Sequence, residues 1–280
     1  MKTFLSHFYS PVSRVLYGLV LWLCLAGITD LALAQTTYNW TSNQNNNWDN
    51  GSNWKGASGW PDDATHTAAF NSNDFGWEKR DIDLRGGTFD ILNLGMSQCE
   101  YSLTFRSSSG TGTLRLHGDV NNKSGLLQYP GDHIFDINLE VVNSSVWSTG
   151  RDHSIDMVGK LQGSGSVTVS MTAAAEGYTA IILRQANPYS GDLIIENGHV
   201  ELHHGNALQN AGVTVNRDQG LDLSELNNQQ VNIGALAGTG NISMRNNDLK
   251  TTSDDDTTWS GDLSAFSTSQ FTKAGTGRLT

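Results

Sequence analysis

The chain has 280 residues, among them 30 glycines and 4 prolines, and carries a formal net charge of −11. The glycines do not recur at every third position, which excludes a collagen-like fold, and the negative charge argues against nucleic acid and anionic lipid as partners. Charged residues make up only 16% of the chain, so Asn, Ser and Thr supply most of its polarity. Such uncharged polar turns favour β-structure over helices.

Residues 1–34 predict a secretory signal peptide. Lys2 and Arg14 form its positive region, and an apolar stretch follows that is too short for a comfortable membrane span. The small residues of Ala32-Leu33-Ala34 predict cleavage before Gln35. An uncleaved N-terminal anchor is the alternative. We therefore expect a secreted protein, or one exported to the bacterial cell surface.

The two cysteines lead to different expectations. Cys24 lies within the leader, where Leu23 stands in place of the small residue that lipid attachment requires. Cleavage would leave Cys99 as the sole thiol, so we expect a mature chain without an internal disulfide, and the strand-like surroundings of Cys99 predict burial. Loss of the two basic residues and one acidic residue of the leader would take the formal net charge from −11 to −12.

Residues 35–64 are rich in tryptophan. Trp40, Trp48, Trp54 and Trp60 lie there in an Asn/Gly/Ser background. One interpretation is a sugar-binding platform, because indole faces stack on pyranose rings. The other is an N-terminal cap, because large aromatic side chains can cover the open end of a first coil. We favour the cap.

From about residue 65 onward, short apolar pairs recur between Gly, Asn, Asp and Gln turns. Clear pairs are Val200/Leu202, Val213/Val215, Leu221/Leu223, Val231/Ile233 and Ile242/Met244. Each pair has the strand period of two. Such short strands cannot bury their apolar sides in hairpins of their own, whereas the stacked coils of a solenoid bury all of them. We predict an all-β, right-handed parallel β-helix over residues 65–280.

An internal repeat supports the prediction of stacked coils. The sequence LQGSGSVTV at 161–169 matches LAGTGNISM at 236–244, and YSGDL at 189–193 matches WSGDL at 259–263. The two intervals are 75 and 70 residues. They predict a unit of about three coils with roughly 20–25 residues in each coil.

Several phrases resemble the autotransporter-associated β-strand repeat. They read NPYSGDLIIENGHVEL at 187–202, NALQNAGVTV at 206–215, GALAGTG at 234–240 and FTKAGTGRLT at 271–280. The resemblance covers about residues 160–280 most clearly. The Trp-rich segment, with a W-x-x-x-x-N-W pattern at 48–54, is similar to the opening module of bacterial surface repeat proteins.

The resemblance implies a secreted or surface-displayed, non-catalytic β-helix passenger or scaffold, with a role in adhesion or cell-envelope contact. It also implies a translocator barrel or sorting tail beyond residue 280, so we expect a longer natural protein. The repeats of this family share no catalytic residues. We therefore predict no catalytic, cofactor-binding or metal-binding residues and a mature segment that does not span the membrane. We expect surface glycans or neighbouring cell surfaces as partners.

His199, Glu201 and His203 are the main candidates for a metal site. Alternate positions of a strand share one face about 7 Å apart, and two imidazoles with a carboxylate suit zinc. His204 or a group on the next coil could supply a fourth ligand. The favoured interpretation places all of them at solvent-facing positions of a strand whose apolar residues point inward.

Asp254, Asp255 and Asp256, with Asp248 nearby, could bind calcium through carboxylate oxygens. The sequence contains none of the glycine-rich nonapeptides that would indicate calcium strongly. A charge run in a loop between coils is usually solvated, so we favour a solvated loop.

A carbohydrate-active lyase or hydrolase is the alternative function. Its chemistry requires clustered carboxylates, often with Arg or Lys, that converge on one groove. The candidates are Asp132, Asp136, Arg151, Asp152 and Asp156. No motif fixes their spacing, so the non-catalytic interpretation is preferred. A glycan-binding module at the Trp-rich end is the second alternative.

Overall fold

The computed structural model describes residues 34–41, 46–71, 80–96, 102–122, 131–149, 153–170, 180–266 and 268–280. Gln35–Thr280 forms one compact unit. The predicted leader up to residue 33, with Cys24, lies outside the described residues, as does Cys99. Within the described ranges, no helix is both long and apolar enough to cross a membrane.

The described residues are almost entirely β-structure, with a single short 3₁₀ turn at Gly51–Asn53. In chain order the strands are β1 (Thr36–Trp40), β2 (Trp54–Lys55), β3 (Asp63–Ala69), β4 (Arg80–Asp83), β5 (Thr88–Gly95), β6 (Leu103–Arg106), β7 (Thr113–Leu116), β8 (Val120–Asn122), β9 (Gly131–Phe135), β10 (Asn138–Val141), β11 (Ser145–Thr149), β12 (His153–Met157), β13 (Leu161–Gly163), β14 (Val167–Val169), β15 (Ala180–Leu183), β16 (Asp192–Ile195), β17 (His199–Leu202), β18 (Leu208–Val215), β19 (Leu221–Asp222), β20 (Gln230–Gly238), β21 (Ile242–Arg245), β22 (Asp248–Thr251), β23 (Leu263–Ala265) and β24 (Phe271–Lys273).

Strands that are neighbours in space are separated by a whole coil in the chain. A nine-stranded sheet has the order β4-β6-β9-β12-β15-β17-β19-β21-β23, and its neighbouring strands are parallel. Glu201 pairs with Asp222, and Asp222 pairs with Ser243, so each of these coils advances by 21 residues. The predicted parallel β-helix is confirmed.

The larger, fifteen-stranded sheet folds over a corner and supplies two sides of the coils. Its strand β5 pairs with β7 through Thr88–Ile91 and with β8 through Leu94–Gly95. We call the row containing β7, β10 and β13 the first side, and the row containing β8, β11, β14 and β16 the second side. The nine-stranded sheet is the third side. Each full coil therefore visits three short strand segments.

Apolar side chains of successive coils stack into continuous columns inside the helix. On the third side, Ile82, Phe105, Phe135, Met157 and Leu183 are register partners in turn, and all are buried. The rings of Phe105 and Phe135 stack with centroids 4.6 Å apart. Burial of each such side chain stabilises the fold by roughly 1.5–3 kcal/mol, so stability accumulates from coil to coil.

The Trp-rich segment covers the N-terminal end of the coils, as predicted. Trp40, Trp48 and Trp54 are buried against Phe70. The indole of Trp54 donates a hydrogen bond to the Trp48 carbonyl at 2.8 Å, and that of Trp48 donates to the Pro61 carbonyl at 2.9 Å. Strand β1 pairs in parallel with β3, which continues the coil stack into the cap.

The internal repeat is a corner that binds the coil above it. Gly163 and Gly238 have φ angles of 99° and 110°, and a Cβ on either would lie 2.2 Å from a carbonyl of the preceding coil. On the following coil, the Tyr189 hydroxyl donates to the Gly165 carbonyl at 2.8 Å. The Trp259 indole donates to the Gly240 carbonyl at 3.1 Å.

The two copies of this corner lie on different sides of the coil. The first copy connects β13 to β14, from the first side to the second. The second connects the end of β20, which pairs with β18 next to β16, to β21 on the third side. The interval is therefore about three coils plus one further side. A prediction based on whole coils misses this shift, because the corner motif fits either corner.

Candidate functional site

Ionisable side chains form a row on the outer surface of the third side. Five successive coils contribute to this charged row, which consists of Asp132, Asp156, Arg184, Glu201, His203 and Glu225. Alternate residues of a strand face opposite sides of a sheet. The polar members of the row therefore alternate with apolar residues that fill the core.

The first part of the row is a chain of paired groups. The Ser154 hydroxyl donates a short hydrogen bond to the Asp132 carboxylate. Arg184 donates to Asp156 through two nitrogens, Nε at 2.6 Å and Nη2 at 2.8 Å. Asp156 is 8% exposed, and its hydrogen bonds raise the pKa of Arg184 above its ordinary value. This fork fixes the arginine and neutralises the nearly buried carboxylate.

The contacts of His203 define which nitrogen carries its proton. Arg184 Nη1 lies 3.0 Å from His203 Nδ1. A guanidinium nitrogen can only donate, so Nδ1 is the acceptor and the ring proton is on Nε2. Nε2 then donates a short hydrogen bond to the Glu201 carboxylate. Arg184, His203 and Glu201 are thus linked in one direction.

The structure replaces one member of the predicted histidine-carboxylate group. Strand β17 ends at Leu202, and His199 turns away, with its Nδ1 2.9 Å from the Gln219 carbonyl. Glu201 and His203 do come together. A third ligand-type group comes from the next coil, where Glu225 lies close enough that the three ligand atoms are all within 4.8 Å of one another. His204 instead accepts from the Asn206 amide at 3.0 Å.

Negative charge accumulates at this end of the row. Glu201 and Asp222 are direct register partners on neighbouring parallel strands, and both are half-buried. Glu225 adds a third carboxylate near Glu201. Like charges directly opposite each other destabilise a sheet. This part of the row therefore contains carboxylates that Arg184, already bound to Asp156, does not neutralise.

The candidate catalytic carboxylates do not form the arrangement that polysaccharide cleavage requires. Asp132 is bound to Ser154 and Asp156 is bound by Arg184. Asp136 is exposed at the end of β9. Arg151 and Asp152 lie outside the described residues. Within the described ranges, the predicted acidic group is thus divided among separate structural contacts.

The acidic run at 254–256 serves the neighbouring coil. The Asp254 carboxylate accepts hydrogen bonds from the amide and the hydroxyl of Thr276 at 2.8 and 3.0 Å, and these bonds lower the pKa of Asp254 below its ordinary value. The Asp256 carboxylate accepts from the Arg278 amide at 2.7 Å. These two carboxylates hold the adjacent loop in place, which accounts for them without calcium.

A second ionisable group lies on the outer surface of the first side and was not predicted. Asp90, Arg115 and Glu140 are successive register partners in β5, β7 and β10. Arg115 Nη1 lies 3.0 Å from Asp90, and its Nε lies 3.4 Å from Glu140. His117 contacts Asp90 at 2.6 Å. The equal sequence spacing of the three residues is the signal that could have revealed this ladder.

The indoles of the cap do not form a sugar platform. Trp40 and Trp48 meet Trp54 edge-on, at interplanar angles of 87° and 70°. Trp60 is partly buried against the core. A stacking platform requires exposed, roughly coplanar rings, and the four tryptophans of the cap do not provide them.

The fold and its outer charge ladders define the chain as a parallel β-helix protein whose ionisable side chains bridge successive coils. Comparisons with protein-family models, with curated proteins and with solved structures found no match to the chain.

Proposed function

We propose that the protein is an exported, surface-displayed β-helix scaffold without catalytic activity, of the kind that the autotransporter-associated repeat implies. The observation that carries the proposal is the use of its polar side chains. The carboxylates, amides and arginines described above bind neighbouring coils and do not converge on a groove. This is the expected chemistry of a rigid spacer.

Asn and Asp side chains form hydrogen-bonded chains along the corners. The Asp218 carboxylate accepts from the Asn241 amide at 3.0 Å, and the Asn241 side chain accepts from the Asp262 amide at 2.7 Å. These bonds satisfy backbone groups that a turn would otherwise leave to water. The high Asn and Asp content of the turns thus has a structural cause.

A scaffold also needs length and a continuous core. Nine parallel strands stack on the third side. At about 4.8 Å per strand, this stack extends over roughly 40 Å. The buried columns hold the stack together without a disulfide among the described residues, which suits a protein that crosses membranes unfolded and folds outside.

Expression of the full chain with its leader in a bacterial host tests the proposal. The exported protein should begin at Gln35, as read by N-terminal mass spectrometry, and Ala34→Arg should block this cleavage. Retention of Met1 in a cytoplasmic pool would contradict export. A panel of acidic and neutral polysaccharides should remain intact. Depolymerisation that the Asp156→Asn variant abolishes while remaining folded would favour the enzyme.

A further inference from the structure

The end of the charged row on the third side brings together one imidazole and two carboxylates from two successive coils. Glu201 and His203 belong to the coil of β17, and Glu225 follows β19 in the next coil. All three ligand atoms lie within 4.8 Å of one another. The side chains of Glu201 and His203 are only 23% and 22% exposed, and each holds the other in place.

The local charge favours a cation at this position. Glu201 lies directly opposite Asp222, and Glu225 adds a further negative charge. Arg184 is bound through two nitrogens to Asp156, so it does not offset these carboxylates. Without a cation, the arrangement places like charges opposite each other, which is unfavourable in a sheet.

We propose that Glu201, His203 and Glu225 bind a divalent transition-metal ion, with zinc as the best fit, and that the ion cross-links two successive coils. Nitrogen and carboxylate ligands suit zinc, whereas calcium prefers oxygen ligands alone. Zinc bonds of about 2.0–2.2 Å place tetrahedral ligand atoms roughly 3.3–3.5 Å apart. The exposed Glu225 side chain therefore needs to move by only about 1 Å. Water completes the coordination.

Binding has a defined consequence for the neighbouring arginine. The imidazole would use Nε2, the atom that now faces Glu201, so the ring proton would move to Nδ1. Nδ1 now accepts from Arg184 Nη1, and two donors cannot share that contact. Nη1 must turn away, while Nε and Nη2 stay on Asp156. The tautomer shift releases no proton from the ring.

Isothermal titration of the tag-free full chain with Zn²⁺, after treatment with a chelator, tests the proposal. We expect one saturable site per chain. The His203→Gln and Glu225→Gln variants should each bind Zn²⁺ at least about tenfold more weakly, because each loses a ligand. His199→Gln is the matched control and should bind like the natural sequence. Ca²⁺ should not displace Zn²⁺.

Two further results would decide the matter. Arg184→Gln should tighten Zn²⁺ binding several-fold, since a glutamine carbonyl can accept the Nδ1 proton of a metal-bound histidine. Glu225 is exposed, so Glu225→Gln should fold normally, as circular dichroism can verify. An absent Zn²⁺ heat, or binding that His203→Gln and Glu225→Gln leave unchanged, would overturn the proposal. Equal loss in His199→Gln would do the same.

Discussion

Two groups of charged side chains bridge coils on the outside of this β-helix, and they are balanced differently. In the ladder of the first side, Arg115 lies between Asp90 and Glu140, so charges alternate from coil to coil. On the third side, Glu201 lies opposite Asp222 with Glu225 close by, and Arg184 is committed to Asp156. The two arrangements use the same residue types.

The difference shows how a solenoid can produce either a structural contact or a binding site. Parallel register stacks outward residues of successive coils directly above each other. Alternating signs then give attraction at each step, whereas repeated signs give repulsion that a bound cation can relieve. The ladder of Asp90, Arg115 and Glu140 is complete within the chain, and the carboxylate end of the charged row is not.

The largest effect is expected for loss of Arg184. Arg184→Met leaves the nearly buried Asp156 carboxylate without its partner, which should lower the free energy of unfolding by about 2 kcal/mol. Urea unfolding followed by tryptophan fluorescence measures it. In the double variant Asp156→Asn, Arg184→Met no unpaired charge remains, and most of the loss should be recovered. A double variant as unstable as the single one would show that the pair is not what matters.

Loss of Arg115 should cost less. Its carboxylate partners are each 31% exposed, so water screens them after Arg115→Met, and the free energy of unfolding should fall by about 1 kcal/mol. Arg106→Met is the matched control, because Arg106 makes a single, more exposed pair with Asp81. Its effect should stay below about 0.5 kcal/mol. Equal losses in both variants would argue against a cooperative ladder.

Changes of a single carboxylate should have opposite signs in the two groups. Asp222→Asn keeps the acceptor for the Ser224 amide but removes a charge opposite Glu201. It should stabilise the metal-free protein by roughly 0.5 kcal/mol, and the gain should shrink at high salt. Glu140→Gln removes a partner of Arg115 and should destabilise by a similar amount. Thermal unfolding of both variants at low and high salt tests the signs, and a shared sign would contradict the comparison.

A third carboxylate, held by uncharged donors, should give the smallest effect. Burial alone would raise the pKa of Asp83, but hydrogen bonds from Ser108 and the Arg85 amide lower it below its ordinary value of 3.8. A depressed pKa in the folded state contributes stability above pH 3.8, and that stability is lost as pH falls through the folded pKa. Urea midpoints between pH 2 and 6 should fall less steeply in Asp83→Asn. An unchanged slope would exclude this role.

The fold could be predicted from the sequence because period-two apolar pairs and turn residues report directly on coils. The tryptophans of the cap were equally informative, because large aromatic side chains at an N-terminal edge have few places to be buried. The candidate site was only half predictable. Glu201 and His203 are close in sequence, but β17 ends at Leu202, so the strand spacing that included His199 does not hold.

Contacts between coils limit what sequence alone can show. Glu225 joins Glu201 only because the intervening coil has a particular length, and coil lengths vary along this chain: Thr104 pairs with Ile134 across 30 residues, whereas Glu201 pairs with Asp222 across 21. A register this irregular cannot be read from spacing. Where spacing is regular, as in Asp90, Arg115 and Glu140, the contact was visible in principle.

The central claim is that charged and polar side chains bridge directly stacked parallel coils, and disulfide trapping tests it most directly. Thr214 and Ala237 are register partners on adjacent coils, at about the 4.8 Å strand spacing that a disulfide can bridge. Thr214→Cys with Ala237→Cys should therefore form an intramolecular disulfide on mild oxidation, detected by peptide mass spectrometry. Thr168 lies two coils from Thr214, so Thr168→Cys with Thr214→Cys should not cross-link. A cross-link in the distant pair, or none in the adjacent pair, would contradict the stacked parallel register.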